Sequence, residues 1–253
     1  PDMEQAIEAC RGYMQQHPHT VLGLHLEGPY LNPLRKGIHP ADQIRAPSEA
    51  MIRYLCQQAP WIATITLAPE QNDPQHIRRL AEAGILVALG HSAARYEQAI
   101  AGFDAGIRFA THLYNAMTPT LNGREPGVVG AAMSTPETYA EIICDGKHVN
   151  PAAIKALLQA KGWQHTVLIT DCLGCGGMPE GSHTSGGMDV IMKDNLCWLA
   201  DGKSIAGSVL TLAQGVKNIV DWGIASADIA IRMATEVPAR SAHIEDKCGS
   251  IMP

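Results

Sequence analysis

Four short polar clusters, each directly after an apolar, strand-like run, constrain the fold of this chain more than any other feature. They contain Glu27, His91, His112 and Asp171. Each cluster places an acid or an imidazole where a buried strand ends and a loop begins, which is where a parallel α/β barrel collects its functional side chains. Two histidines and two carboxylates at such an edge favour a divalent metal that holds a water, with a second acid beside it.

Composition narrows the class of protein. The 253 residues are 46% hydrophobic and 17% charged, enough to bury a large core in one α/β domain, and the net charge of −6 argues against a nucleic-acid-binding surface. No run of 18 apolar residues and no signal peptide is apparent, so we expect a cytoplasmic protein with no membrane partner. The seven cysteines are irregularly spaced, and the C-x-x-C at Cys172 and Cys175 has no second pair to complete a zinc site.

Apolar runs of strand length alternate with stretches in which apolar residues recur at helical spacing. Ser48 and Asp73 stand where helix N-caps belong. This alternation is typical of a parallel sheet covered by helices. The predicted strands are residues 21–26, 62–67, 86–89, 108–111, 141–144 and 167–170, and the predicted helices are residues 4–16, 48–58, 74–83, 95–105, 151–161, 210–222 and 227–235.

Residues 182–204 interrupt the alternation, and we interpret them as a small β-hairpin insertion with strands at 183–192 and 195–199. Six β units precede residue 172, whereas an eight-stranded barrel needs two more. The chain begins within a helical pattern and stops as though a strand were about to follow. We therefore expect residues 1–253 to be a partial catalytic barrel whose first two strands lie outside the sequence.

The metal hypothesis depends on Glu27, His91 and His112. Two imidazoles and one carboxylate leave a coordination position open, as catalytic zinc sites do. The alternatives are a salt-bridged or helix-capping glutamate and two histidines that only make hydrogen bonds. Asp171 could accept a proton from a metal-bound water and return it to a leaving group, or it could be a further metal ligand.

Other polar groups near these clusters suit an anionic substrate. His39, in the loop 36–40, could polarise a carbonyl group. Arg124, in the segment 123–127, offers the planar donor fork that suits a phosphate, although a surface salt bridge is an equal alternative. The segment 145–148, which ends at His148, adds a second cationic donor.

Together these residues resemble the N-acetylglucosamine-6-phosphate deacetylases of the amidohydrolase superfamily. The resemblance is collinear over nearly the whole chain, and His-Leu-Glu-Gly-Pro at residues 25–29 and Thr-His-Leu-Tyr-Asn-Ala-Met at residues 111–117 are its most specific parts. The matching segments are residues 25–32, 36–40, 89–92, 110–117, 123–127, 145–149 and 205–208.

The resemblance implies a TIM-type (β/α)8 barrel of the metal-dependent hydrolases, together with a small β-sandwich that is built from the two chain ends and is missing here. It implies a homodimer in which Arg124 and His148 approach the partner's site and bind the phosphate. The metal would be Zn2+, or alternatively Fe2+ or Mn2+, as one or two ions. The implied roles are metal binding by Glu27, His91 and His112, acid–base catalysis by Asp171, contact with the acetamido group by His39, and sugar binding by Ile38, Asn115, Ala116, Ile205, Ala206 and Gly207.

The implied reaction is deacetylation of N-acetylglucosamine-6-phosphate in amino-sugar catabolism. Asp171 would deprotonate the water that attacks the acetyl carbonyl, and His39 would stabilise the oxyanion. Cys172-Leu173-Gly174-Cys175 follows Asp171 where the family usually has small residues, which leaves N-acetylgalactosamine-6-phosphate as an alternative substrate. Two further alternatives are a cyclic-amide hydrolase of the same superfamily and a truncated, non-catalytic remnant or sugar-phosphate-binding protein.

Overall fold

The computed structural model describes residues 2–18, 20–120, 122–185, 187–202 and 204–251. The chain divides into two compact units, Pro1–Thr138 and Tyr139–Pro253. Among the described residues, no helix is both long enough and apolar enough to cross a membrane. The interpretation of the whole chain as one catalytic domain with a hairpin insertion stays a prediction.

The first unit contains four parallel strands that are adjacent in chain order, β1-β2-β3-β4. Helices separate the strands along the chain, as the sequence predicts for a parallel sheet. Ile65 and Leu67 on β2 and Leu89 on β3 are fully buried, so the core of this unit lies against the central strands. The elements are α1 (Asp2–Gln16), β1 (Leu24–Glu27), α2 (Glu49–Gln57), β2 (Ile62–Leu67), α3 (Pro74–Glu82), β3 (Leu86–Leu89), α4 (Tyr96–Ala105), β4 (Ile107–Ala110) and α5 (Gly127–Ser134).

The helix ends follow from local chemistry. The Ser48 side chain accepts a hydrogen bond from the backbone N–H of Met51, and the Asp73 side chain accepts one from that of Gln75. Both are N-caps that satisfy donors left unpaired in the first helical turn. Gly106, with φ 122°, ends α4 and turns the chain directly into β4.

The second unit contains a parallel strand pair and a separate antiparallel sheet. The residue run 183–192, predicted as one strand, is two strands, because β7 ends at Ser185 and β8 begins at Met188. Asp194 and Asn195 both have φ 56° and form the tight turn between β8 and β9. The elements are β5 (Tyr139–Ile143), α6 (Pro151–Lys161), β6 (Thr166–Ile169), β7 (Gly181–Ser185), β8 (Met188–Lys193), β9 (Leu196–Leu199), β10 (Ile205–Gly207), α7 (Leu212–Asp221), α8 (Ala227–Ala234) and α9 (Glu236–Ser241).

Candidate metal and substrate site

Three candidate metal ligands lie at the carboxyl ends of strands in the first unit. Glu27 is the last residue of β1, and His91 and His112 each follow their strand, β3 or β4, by two residues. Glu27 Oε1 lies 3.0 Å from His91 Nε2 and 2.9 Å from His112 Nε2, and the two Nε2 atoms are 3.1 Å apart. Among the described residues, no other group of three or more His, Cys, Asp or Glu side chains brings its ligand atoms together in this way.

These three atoms suit a shared cation. His91 Nδ1 lies 2.7 Å from the carbonyl oxygen of Arg35, which only accepts hydrogen bonds, so Nδ1 carries a ring hydrogen and Nε2 is the nitrogen directed at Glu27. The ligand atoms of a tetrahedral zinc ion lie about 3.3 Å apart, because each is about 2.0–2.1 Å from the metal. Two imidazole nitrogens and a carboxylate oxygen at 2.9–3.1 Å therefore fit a divalent metal in composition and spacing.

The carboxylate is held in its charged form. Burial by itself would raise the pKa of Glu27, but hydrogen bonds from His112 and His91 outweigh it and hold the pKa well below the usual value. The side chains of His112 and His91 are only 5% and 8% exposed, against 31% for Glu27. The site thus combines a fixed negative charge with two shielded imidazoles, which favours a cation.

His39 lies beside the candidate ligands. Its Nε2 is 3.7 Å from Glu27 Oε2, and its ring meets that of His91 edge-on with centroids 4.7 Å apart. Gly37 allows the loop 36–40 to lie close to His91, because it has φ 56° and a Cβ there would lie 3.1 Å from His91 Cε1. Half-buried Ile38 belongs to the same loop. A cavity of about 700 Å³ opens next to Glu27 and His39.

Asn115 and Ala116 lie in the loop that follows His112. Asn115 donates a side-chain hydrogen bond to the carbonyl oxygen of His112, and the carbonyl oxygen of Ala116 accepts one from the backbone N–H of Ser92. The structure therefore brings these two predicted sugar-binding residues to the candidate ligands. Arg124 lies in an exposed turn of the same unit, where its backbone N–H is bonded to the Asn122 side chain.

The remaining predicted residues belong to the second unit. Asp171 follows β6 by two residues, is exposed and has φ 48°. The next residues run beside the end of β10, since the backbone N–H of Leu173 donates to the carbonyl oxygen of Ser208. Gly207 is packed against this turn, because a Cβ there would lie 2.8 Å from Leu173 Cγ. Ile205, Ala206 and Gly207 form β10 itself.

His148 is oriented by Asp145. Its Nδ1 lies 2.6 Å from Asp145 Oδ2, and Oδ1 of the same carboxylate accepts the backbone N–H groups of Lys147 and His148. Burial by itself would raise the pKa of Asp145, but the hydrogen bond from His148 and the two backbone bonds lower it overall. The carboxylate fixes the ring, so that Nε2 is the nitrogen left for a ligand.

Two groups of side-chain contacts in the structure were not predicted from the sequence. Glu70, three residues after the end of β2, contacts the loops on both sides of His91. The rule that selected Glu27, an acid at a strand's carboxyl end, could have found it.

The thiol of Cys175 lies 3.4 Å from that of Cys197, and both are buried, whereas Cys172 is exposed.

Comparison with known proteins places this chain in a family. The model of the amidohydrolase family matches residues 2–253, and the chain belongs to that family. It is 37% identical to the N-acetylglucosamine-6-phosphate deacetylase of Haemophilus influenzae over 252 residues, which cover 99% of this chain and 65% of the relative. It is 40% identical to the N-acetylgalactosamine-6-phosphate deacetylase of Escherichia coli O157:H7, with 92% of this chain and 62% of the relative covered.

Comparison with a solved structure shows that the similarity in sequence is accompanied by a similar fold. The crystal structure of N-acetylglucosamine-6-phosphate deacetylase from Pasteurella multocida superposes with a TM-score of 0.94 at 38% identity, covering 100% of this chain and 66% of that one. The expected α/β class of the metal-dependent hydrolase barrels and the resemblance to the deacetylases are thereby confirmed. The chain spans about two thirds of the length of these relatives.

Proposed function

We propose that this chain carries the metal site and part of the substrate site of a deacetylase that hydrolyses N-acetylglucosamine-6-phosphate to glucosamine-6-phosphate and acetate. The observation that carries the proposal is the convergence of Glu27 Oε1 with the Nε2 atoms of His91 and His112 at 2.9–3.1 Å. The names of the Haemophilus influenzae and Pasteurella multocida proteins supply the substrate.

Glu27, His91 and His112 hold a divalent metal, for which we propose zinc, with Fe2+ or Mn2+ as alternatives and one or two ions. Such an ion supplies an acidified water and polarises the acetyl carbonyl. Asp171 accepts the proton of the attacking water and then donates it to the nitrogen of the departing sugar amine, so that acetate and the free amine are released. His39 donates a hydrogen bond to the acetyl oxygen as negative charge develops there, a contribution of about 3–4 kcal/mol for a well-placed donor.

The substrate's other groups are assigned to the surrounding loops. Arg124 and His148 bind the phosphate, each reaching the site of the partner in a homodimer, and a cytoplasmic location suits an enzyme of amino-sugar catabolism. His148 supports this role because Asp145 leaves its Nε2 for the ligand. Sugar contacts are assigned to Ile38, Asn115, Ala116, Ile205, Ala206 and Gly207.

The test combines metal content with acetate release. The protein as purified is expected to hold stoichiometric metal and to release acetate from N-acetylglucosamine-6-phosphate. Asp171→Asn is expected to lose turnover while keeping its metal, because the side chain is assigned to proton transfer and not to metal binding. Asp189→Asn, at an exposed position of β8, is the matched control and is expected to retain activity. Full turnover in Asp171→Asn contradicts the proposed acid–base role, and a metal-free, inactive protein favours a non-catalytic remnant.

A second substrate is supported by one comparison. The Escherichia coli O157:H7 relative, at 40% identity, is named for the galactosamine epimer. Parallel assays with both epimers at equal concentration decide between them by the ratio of kcat/KM. A higher kcat/KM for N-acetylgalactosamine-6-phosphate than for the glucosamine epimer would make that sugar the proposed substrate, with the same metal site and chemistry.

A further inference from the structure

Glu70 occupies the carboxyl end of β2, between the strand that carries Glu27 and the strand that leads to His91. Both of its carboxylate oxygens accept hydrogen bonds. Oε1 accepts from Asn32 Nδ2 at 2.8 Å and from the backbone N–H of Ala93 at 2.6 Å, and Oε2 accepts from Ser92 Oγ at 2.7 Å. A single side chain therefore joins the turn after β1 to the loop after β3.

These two segments are the ones that hold His91. The backbone N–H of Asn32 donates to the carbonyl oxygen of His91 at 2.9 Å, and three residues later the carbonyl oxygen of Arg35 accepts from His91 Nδ1 at 2.7 Å. The backbone N–H of Arg35 closes the turn on the carbonyl oxygen of Asn32. The hydrogen bonds of Glu70 thus complete a closed network of hydrogen bonds, which fixes the backbone of His91 on one side and its imidazole on the other.

His91 needs such support because its backbone is strained. It has φ 46°, in the left-handed region that costs a non-glycine residue about 1–2 kcal/mol. Asn32 and Ser92 are 5% and 0% exposed, so their bonds to Glu70 are shielded from water. Hydrogen bonds to a carboxylate are about twice as strong as bonds between neutral groups.

We propose that Glu70 is a positioning residue for the metal site, which acts by holding the Nε2 of His91 in the direction of Glu27. The inference rests on the proposed metal site and not on the identity of the sugar. Residues that orient a ligand from outside the coordination shell typically change metal affinity by about 10–100-fold when they are replaced. We expect a loss of that size in Glu70→Ala.

The experiment measures zinc affinity by competition with a chromophoric chelator, so that it does not depend on turnover. Glu70→Ala removes all three hydrogen bonds, whereas Glu70→Gln can keep them, because its amide oxygen accepts from Asn32 and Ala93 and its amide nitrogen donates to Ser92 Oγ. Glu82→Ala and Glu82→Gln, at an exposed position of α3, are the matched controls. Circular dichroism of each variant verifies that it is folded.

The expected result is a zinc affinity about 10–100-fold lower in Glu70→Ala, recovery to within a few-fold of wild type in Glu70→Gln, and no change in the Glu82 variants. If Glu70→Ala does not fold, Ser92→Ala is expected to show a smaller loss of the same kind, because it removes one of the three bonds to Glu70 together with the bond that Ser92 Oγ accepts from the backbone N–H of Ala94. An unchanged affinity in the folded alanine variant, or an equal loss in both Glu70 variants, overturns the positioning role alone. A wild-type protein that binds no zinc overturns the metal site and this role together.

Discussion

Replacing Gly90 with alanine tests how closely the strand ends pack beneath the candidate metal site. A Cβ at this position would lie 2.5 Å from Thr66 Cγ2 and 3.1 Å from Thr111 Cβ. Ordinary contacts between carbon atoms are about 3.5–4.0 Å, so the Thr66 methyl group must move by about 1 Å. That side chain is fully buried and is fixed by hydrogen bonds of its Oγ1 to His25 Nε2 at 2.7 Å and to Thr111 Oγ1 at 2.8 Å.

The cost has two parts. Forcing an extra methyl group into a packed core destabilises by about 1–3 kcal/mol. Turning the Thr66 side chain away breaks at least one of its two hydrogen bonds, which adds about 1 kcal/mol. We therefore expect Gly90→Ala to lower the free energy of unfolding by about 2–4 kcal/mol, and to weaken zinc binding because His91 is the next residue.

Urea unfolding followed by circular dichroism measures the change. Gly12→Ala is the matched control, because Gly12 lies within α1 of the same unit and a Cβ there meets nothing within 4 Å. Alanine is the better helix former, so the control is expected to gain about 0.5–1 kcal/mol. A Gly90→Ala variant as stable as wild type would refute the reasoning, since the packing described could then absorb a methyl group without cost.

Two further predictions concern other parts of the proposed substrate site. The pKa of Asp145 is lowered in the folded protein, so its contribution to stability is present above its unfolded pKa of about 3.9 and is lost as the pH falls through the folded pKa. Asp145→Asn should therefore flatten the pH dependence of the free energy of unfolding below about pH 4. An unchanged pH dependence of that free energy, measured by urea unfolding at a series of pH values, would contradict this. Arg124→Ala should raise KM for the sugar phosphate about tenfold or more and leave KM for unphosphorylated N-acetylglucosamine unchanged. An equal rise in KM for both sugars in steady-state assays would exclude a phosphate contact.

The strands and the convergence of the candidate ligands could be predicted because the same physical rule produces both. The predicted bounds of β2, β3 and α6 coincide with those observed, and Glu27, His91 and His112 meet because they end strands of one parallel sheet. Strong alternation between apolar runs and capped helices fixes such elements locally.

Three features escaped prediction from the sequence, each for a different reason. Five of the eight residues of helix α5 are buried, and its one polar residue is Ser134 at its end, so the helix has no polar face to reveal a helical period. The division of residues 183–192 into two strands has a local signal that the prediction did not use, because two glycines in sequence stand between Ser185 and Met188, as is typical of a hairpin turn. Glu70 lies within a 3-10 turn after β2, and its bonds to Asn32 and Ser92 join residues 38 and 22 positions away in the chain.

The left-handed backbones of His91 and His112, with φ of 46° and 34°, place backbone strain at the two imidazole ligands of the proposed metal site. Each such residue costs the folded chain about 1–2 kcal/mol, which the fold must offset by other means. A ligand that binds only the folded state contributes RT ln(1 + [L]/Kd), or about 2.7 kcal/mol at a free concentration one hundred times Kd. Removal of the proposed metal would therefore lower the melting temperature of the protein, because the strain at the two histidines would no longer be offset by the free energy of metal binding.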